Sequence, residues 1–143
     1  MPVRMEHANL TVRDVDGMLR FLLAAFPEFQ VRRDVTGSDG SRWVHVGTAD
    51  NYIALTPASA KPGIPWMPYS GRPGVNHLGF EVDDAEALRQ RLLAAGYKES
   101  TPPNAHPYRK RVYFYDPEGN DWEFVQYLST DTAQRNDYDL PDR

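Results

Sequence analysis

The 143-residue chain contains no cysteine, which excludes disulfides, zinc–thiolate sites and thiol nucleophiles together. Any bound metal must therefore be held by His, Asp or Glu. Basic charge is also scarce: 16 Lys and Arg stand against 20 Asp and Glu, a net charge of −4 with a pI near 5.5. Gripping nucleic acid or an anionic membrane needs clustered Lys and Arg, so neither is expected as a partner and a small molecule is. Long apolar runs are missing as well. No segment approaches the ~20 apolar residues that span a bilayer, and the opening MPVRMEHANLTV holds no stretch of signal-peptide length. The reading is a cytoplasmic protein.

What is present is a repeat, and a repeat constrains architecture before any single residue does. HANLTVRDVDGMLRFLLAA, from His7, lies without a gap over HLGFEVDDAEALRQRLLAA, from His77, at a shift of 70. His7 meets His77, Val12 meets Val82, Asp14 meets Asp84, and Leu-Leu-Ala-Ala at 22–25 meets 92–95. NLTV and HLGFEV are short apolar-rich stretches suited to strands. Val15, Met18, Leu19, Leu22, Leu23 and Phe26 follow the spacing of an amphipathic helix, as do Ala85, Leu88, Leu92 and Ala95. Asp83 with Glu86 resembles a capping box, and Pro27 and Gly96 end the helices at corresponding points.

The second halves of the copies align at a shift of 69. RWVHVGTADNYIALT, from Arg42, lies over RVYFYDPEGNDWEFV, from Arg111, and each reads as strand, turn, strand. A further strand is expected at FQVRRDV and at YKESTP. The expected fold is α+β: two tandem βαβββ modules, about 4–56 and 74–128, forming a curved, mostly antiparallel sheet around a metal-centred cavity within a single domain of residues 1–128. The Pro- and Gly-rich linker 57–73 offers Trp66, Met67 and Tyr69 as cover for an apolar cavity or as surface glue. A polar tail, 129–143, either straps the surface or frays.

The repeat gives meaning to residues that are unremarkable singly. His7 and His77 occupy the same place in the two copies, and Glu123 lies on the last strand of the second, where the first has Ala54. Two imidazoles and one carboxylate converging on a cavity form a 2-His-1-carboxylate face with positions left open, which suits one divalent ion: Fe, Mn, Ni or Zn.

His7, His77 and the element DPEGNDWEF, with Glu123 six residues after Pro117, resemble the vicinal oxygen chelate superfamily, the glyoxalase/bleomycin resistance/extradiol dioxygenase group. The resemblance covers roughly residues 5–128. It implies paired βαβββ modules, frequent homodimers, and metal-dependent chemistry on vicinal oxygens of a substrate. It also implies roles: His7, His77 and Glu123 as metal ligands, Glu123 doubling as a base, and Tyr113 as a substrate contact. His106 stands as a loop candidate for acid–base work. His45 is read as a strand residue with no assigned chemistry.

Departures narrow the resemblance. Glyoxalase I enzymes usually supply a fourth, carboxylate ligand where this chain has Ala54. Asn9 stands where fosfomycin-resistance thiol transferases would have Thr, and no basic clamp for a phosphonate follows Glu123. The expected function is a metal-dependent lyase or isomerase. An Fe(II) extradiol dioxygenase and a non-catalytic drug-binding protein are the alternatives.

Overall fold

The computed structural model describes residues 3–59, 68–71 and 73–140. The chain divides into two compact units, residues 1–65 and 66–143. The first runs β1 (His7–Val12), α1 (Val15–Ala25), β2 (Gln30–Thr36), β3 (Arg42–Gly47) and β4 (Tyr52–Pro57). The second repeats the order with β5 (His77–Glu81), α2 (Ala85–Ala94), β6 (Lys98–Glu99), β7 (Arg109–Tyr115) and β8 (Asp121–Tyr127), then adds α3 (Thr132–Arg135). The expected βαβββ modules are therefore both present. Each forms its own four-stranded mixed sheet, in the order β1-β4-β3-β2 or β5-β8-β7-β6. The first strand runs parallel to the last, and the other pairs are antiparallel.

Both helices start for the same local reason. Asp14 and Asp84 are extended and accept from the backbone N–H of Gly17 and Ala87, satisfying a donor that the first helical turn leaves free. The cap is thus Asp84, one residue past the Asp83 expected for the capping box. Each helix buries one stripe against one face of its sheet. Val15, Met18, Phe21, Leu22 and Ala25 join Val12, Val44, Val46, Ile53 and Leu55 in the first core. Ala85, Leu88 and Leu92 join Val112, Phe114, Trp122 and Phe124 in the second. Phe21 takes the place expected of Leu23, which is exposed. Burying each large side chain stabilises its unit by roughly 1.5–3 kcal/mol. Since side chains alternate across a strand, the same packing turns the intervening residues to the opposite face of each sheet.

The tail straps the second unit. Arg135 reaches Glu81 at 3.2 Å and lies over the Tyr127 ring, while buried Arg109 donates to the carbonyls of Arg135 and Asp137. Trp66 and Met67 lie outside the described residues. No helix among the described residues is long and apolar enough to cross a membrane.

Candidate functional site

On the sheet face turned away from α2, register places His77 of β5 beside Asp121 of β8, and Gly79 beside Glu123, which in turn faces Tyr113 of β7. His77 Nε2 and Glu123 Oε2 lie 3.0 Å apart. The Oδ1 of Asn76 accepts from His77 Nδ1 at 2.8 Å, so in the neutral ring Nε2 carries the lone pair. A lone pair and a carboxylate oxygen facing each other at that distance repel. The pair needs positive charge between its members, a proton or a cation.

The surroundings keep the pair half shielded. Glu123 has only 14% of its side chain exposed, and Arg111 NH1 lies 3.7 Å from its other oxygen. The Tyr113 ring meets His77 edge-on at 6.1 Å. Burial first, then the charge of Glu123, pushes the Tyr113 phenol up to about 12, so it remains a proton donor at neutral pH. Behind His77, the buried carboxylate of Asp121 accepts from Ser100 Oγ and, at 2.6 Å, from the hydroxyl of Tyr69.

The equivalent face of the first unit has different chemistry. His7 Nδ1 donates to Glu6 Oε1 at 2.9 Å, which presents Nε2 just as Asn76 does for His77. The His7 ring stacks on Tyr52, its register neighbour, at 4.9 Å and 8°. Tyr52 also stacks with His45 at 4.4 Å, and the Arg32 guanidinium lies 4.2 Å from its centroid. Register pairs His45 with Ala54, as Tyr113 pairs with Glu123. His45, not Val44, is therefore the counterpart of Tyr113, and the shift between β3 and β7 is 68 rather than the 69 expected from sequence. The turn explains it: four residues separate β3 from β4, and five separate β7 from β8.

Of the expected site residues, the structure brings together His77, Glu123 and Tyr113. His7 sits in the first unit. Among the described residues no three His, Asp or Glu side chains are grouped so that they could hold one metal ion. His106 lies elsewhere: it is buried, its Nδ1 accepts from the Tyr108 N–H, and it bridges to Arg109. Arg109 pairs with Tyr127, four register pairs beyond Tyr113–Glu123, or about 13 Å along the strand. Asn76, Arg111 and Asp121 were missed as contributors. The only signal for Asn76 was a side-chain oxygen just before each histidine, Glu6 in one copy and Asn76 in the other.

The His77–Glu123 pair fits a metal in donor type and spacing. Imidazole nitrogen and carboxylate oxygen suit divalent first-row ions, and two cis donors at about 2.1 Å from one octahedral ion stand about 3.0 Å apart.

A family model described as the Glyoxalase/Bleomycin resistance protein/Dioxygenase superfamily matches residues 4–124. The chain is 32% identical over 69 residues to a probable trivalent organoarsenical cleaving enzyme of Bacillus subtilis (strain 168), covering 44% of this chain and 47% of that protein. The match thus spans about half of that relative. Among solved structures, a glyoxylase/bleomycin resistance protein/dioxygenase domain from Frankia sp. EAN1pec superposes with a TM-score of 0.71 at 24% identity, covering 89% of this chain and 99% of the other. The fosfomycin resistance protein FosX of Listeria monocytogenes, complexed with Mn(II) and sulfate, superposes with a TM-score of 0.67 at 18% identity over 94% and 98%.

Proposed function

Because the chain belongs to the glyoxalase/bleomycin resistance protein/dioxygenase superfamily, we propose that it is a divalent-metal-dependent enzyme, with His7, His77 and Glu123 as ligands and a small substrate presenting vicinal oxygens. The observation that carries this reading is the His77 Nε2–Glu123 Oε2 approach of 3.0 Å, with Nδ1 already committed to Asn76. A bound ion would act as a Lewis acid, polarising the substrate oxygens. His7 offers the third donor, oriented by Glu6 in the same way. That FosX binds Mn(II) makes Mn(II) the natural first probe, and Fe, Ni and Zn suit the same donors.

The chain's own residues supply proton handling. Glu123 Oε1, the oxygen beside Arg111, accepts a proton from the substrate, and the nearby guanidinium steadies the carboxylate before transfer. Tyr113, protonated at neutral pH, donates a hydrogen bond to oxygen on the substrate. Such a pair serves lyase or isomerase chemistry. The substrate of the organoarsenical relative does not transfer readily, since trivalent arsenic is a soft centre that favours thiolates and this chain has no cysteine.

Ala54 favours a second reading. It gives the first unit no fourth ligand, and the additional open position suits O2-dependent ring cleavage on Fe(II). Oxygen uptake with a catechol separates that reading from the first.

The test is metal analysis of protein purified without chelator. We expect about one ion per chain in the wild type and less than about a tenth of that in His77→Ala, Glu123→Ala and His7→Ala. Undiminished metal in all three variants would end the metal reading. A metal-free wild type that still binds small molecules would point instead to a binding protein.

A further inference from the structure

His7 and His77 share a pattern of two contacts, a side-chain oxygen on Nδ1 and a near-parallel tyrosine ring, and the ring comes from very different places in the two units. In both, the residue before the histidine takes Nδ1: Glu6 at 2.9 Å and Asn76 at 2.8 Å. In the first unit the second contact is a tyrosine ring supplied by register, because Tyr52 lies beside His7 on the neighbouring strand. In the second unit the register neighbour of His77 is Asp121, which has no ring to offer. The Tyr113 ring meets His77 only edge-on, at 6.1 Å and 72°, and the near-parallel ring comes from elsewhere. Tyr69, which precedes β5 by eight residues in sequence, stacks on His77 at 6.3 Å and 24°.

Tyr69 is held there by something other than its ring. Its hydroxyl donates to Asp121 Oδ2 at 2.6 Å, and that carboxylate is 2% exposed and further fixed by Ser100. Its backbone adopts φ +60°, the only left-handed non-glycine residue among those described. A bulky side chain in that region is strained and persists only where surrounding contacts enforce it. The residue is also 57% exposed, so hydrophobic burial does not account for the strain. The hydroxyl bond to buried Asp121 fixes the ring beside His77 all the same.

We propose that Tyr69 is a positioning residue for His77, recruited by Asp121 to give the second histidine the aromatic support that Tyr52 gives the first. Asp121 and Tyr52 occupy equivalent places, and each secures a tyrosine against its histidine, one directly and one at a remove. The consequence is an asymmetry in what the two hydroxyls do. The Tyr52 ring is placed by its strand, so its hydroxyl is dispensable. The Tyr69 ring is placed through its hydroxyl, so removing one oxygen releases the ring.

The inference rests on the metal reading only in its first readout, Mn(II) affinity followed by electron paramagnetic resonance. Tyr69→Phe should weaken Mn(II) binding about tenfold, in the range for groups that orient metal ligands, whereas Tyr52→Phe should leave it within about twofold. The second readout needs no metal: the ring-proton chemical shifts of His77 in the metal-free chain. In the wild type these should carry the ring-current shift of the Tyr69 ring that lies over His77, and in Tyr69→Phe they should lose it as the ring is released. A wild type that binds no Mn(II) would remove the metal reading and leave the ring-current test standing. Unchanged His77 ring-proton shifts in Tyr69→Phe would overturn the positioning role whatever the metal result.

Discussion

His45 stacks between Trp43 and Tyr52, with ring centroids at 4.8 and 4.4 Å. Burial, then the Arg32 guanidinium, then His7 lower its pKa from the ordinary 6.5. The sign of the consequence follows from which state protonates first. Above pH 6.5 both folded and unfolded chains hold a neutral ring and no difference arises. As pH falls below that value, the unfolded chain gains a proton that the folded chain resists, so stability is lost until pH passes the depressed native value. His45→Phe keeps a ring in the stack and abolishes the titration. Its urea midpoint, followed in metal-free protein from pH 7.5 to 5, should fall less steeply than that of the wild type. Proton uptake on unfolding near pH 6 should drop by up to about one. Parallel declines in the two proteins would count against the shift. This residue was illegible in the sequence for a geometric reason, since an alignment without gaps put Val44 opposite Tyr113. His77, Glu123 and Tyr113 were legible because the repeat and strand alternation determine which face they share. The Tyr69–Asp121 bond was not, because it joins residues 52 apart and depends on the register of β8.

At the level of elements, the strand–helix halves of the repeat read correctly from sequence, the second cap falling at Asp84, one residue past the expected Asp83 and aligned with Asp14. Helix entry is a local matter of side chain and backbone. The hairpins read less well, because turn length is set by side-chain bonds that an alignment does not see. In the longer turn, Asp116 accepts from the N–H groups of Glu118 and Asn120 and from Trp122 Nε1, and Gly119 takes φ +87°. In the shorter one, Thr48 and Asn51 bond each other, and the chain closes hard against Gly47. A Cβ at Gly47 would meet Asn51 O at 2.3 Å and Tyr52 Cα at 2.5 Å, both backbone atoms that cannot step aside. Its counterpart in the second unit, by the β3–β7 shift, is Tyr115, whose side chain the longer turn accommodates. Gly47→Ala should therefore cost about 3 kcal/mol or more, well above an ordinary surface substitution. Inserting one glycine after Asp50, which copies the longer turn, should recover part of that loss in a urea titration. A Gly47→Ala chain with the wild-type midpoint would show that the turn yields more easily than its geometry implies.

Across the whole molecule, two copies of one unit have diverged in what they carry: a carboxylate and two phenols on one open face, an aromatic–cationic stack on the other. Only the second is followed by the tail helix. That segment's composition left strapping and fraying equally open, and the decision turns on Arg109. The guanidinium of this residue is 5% exposed and donates to the Asp137 carbonyl at 2.9 Å and the Arg135 carbonyl at 3.3 Å, with the Tyr138 ring 5.6 Å away. Hydrogen bonds to a charged group contribute more than neutral ones, about 1.5–3 kcal/mol each in favourable cases. Truncation after Leu128 exposes Arg109 to water, which recovers part of that energy, so the net loss should be about 1–3 kcal/mol. The Arg109→Met variant should lose a similar amount. If the two act through the same contacts, combining them should cost much less than the sum, because the second change finds nothing left to remove. Additive losses would show that the tail stabilises the unit by some other route, such as Arg135 on Glu81 and Tyr127. Mn(II) binding provides the control, since the Arg109–Tyr127 pair lies about 13 Å along the strand from Glu123. The truncated chain should unfold earlier and, while folded, bind the ion as the full chain does.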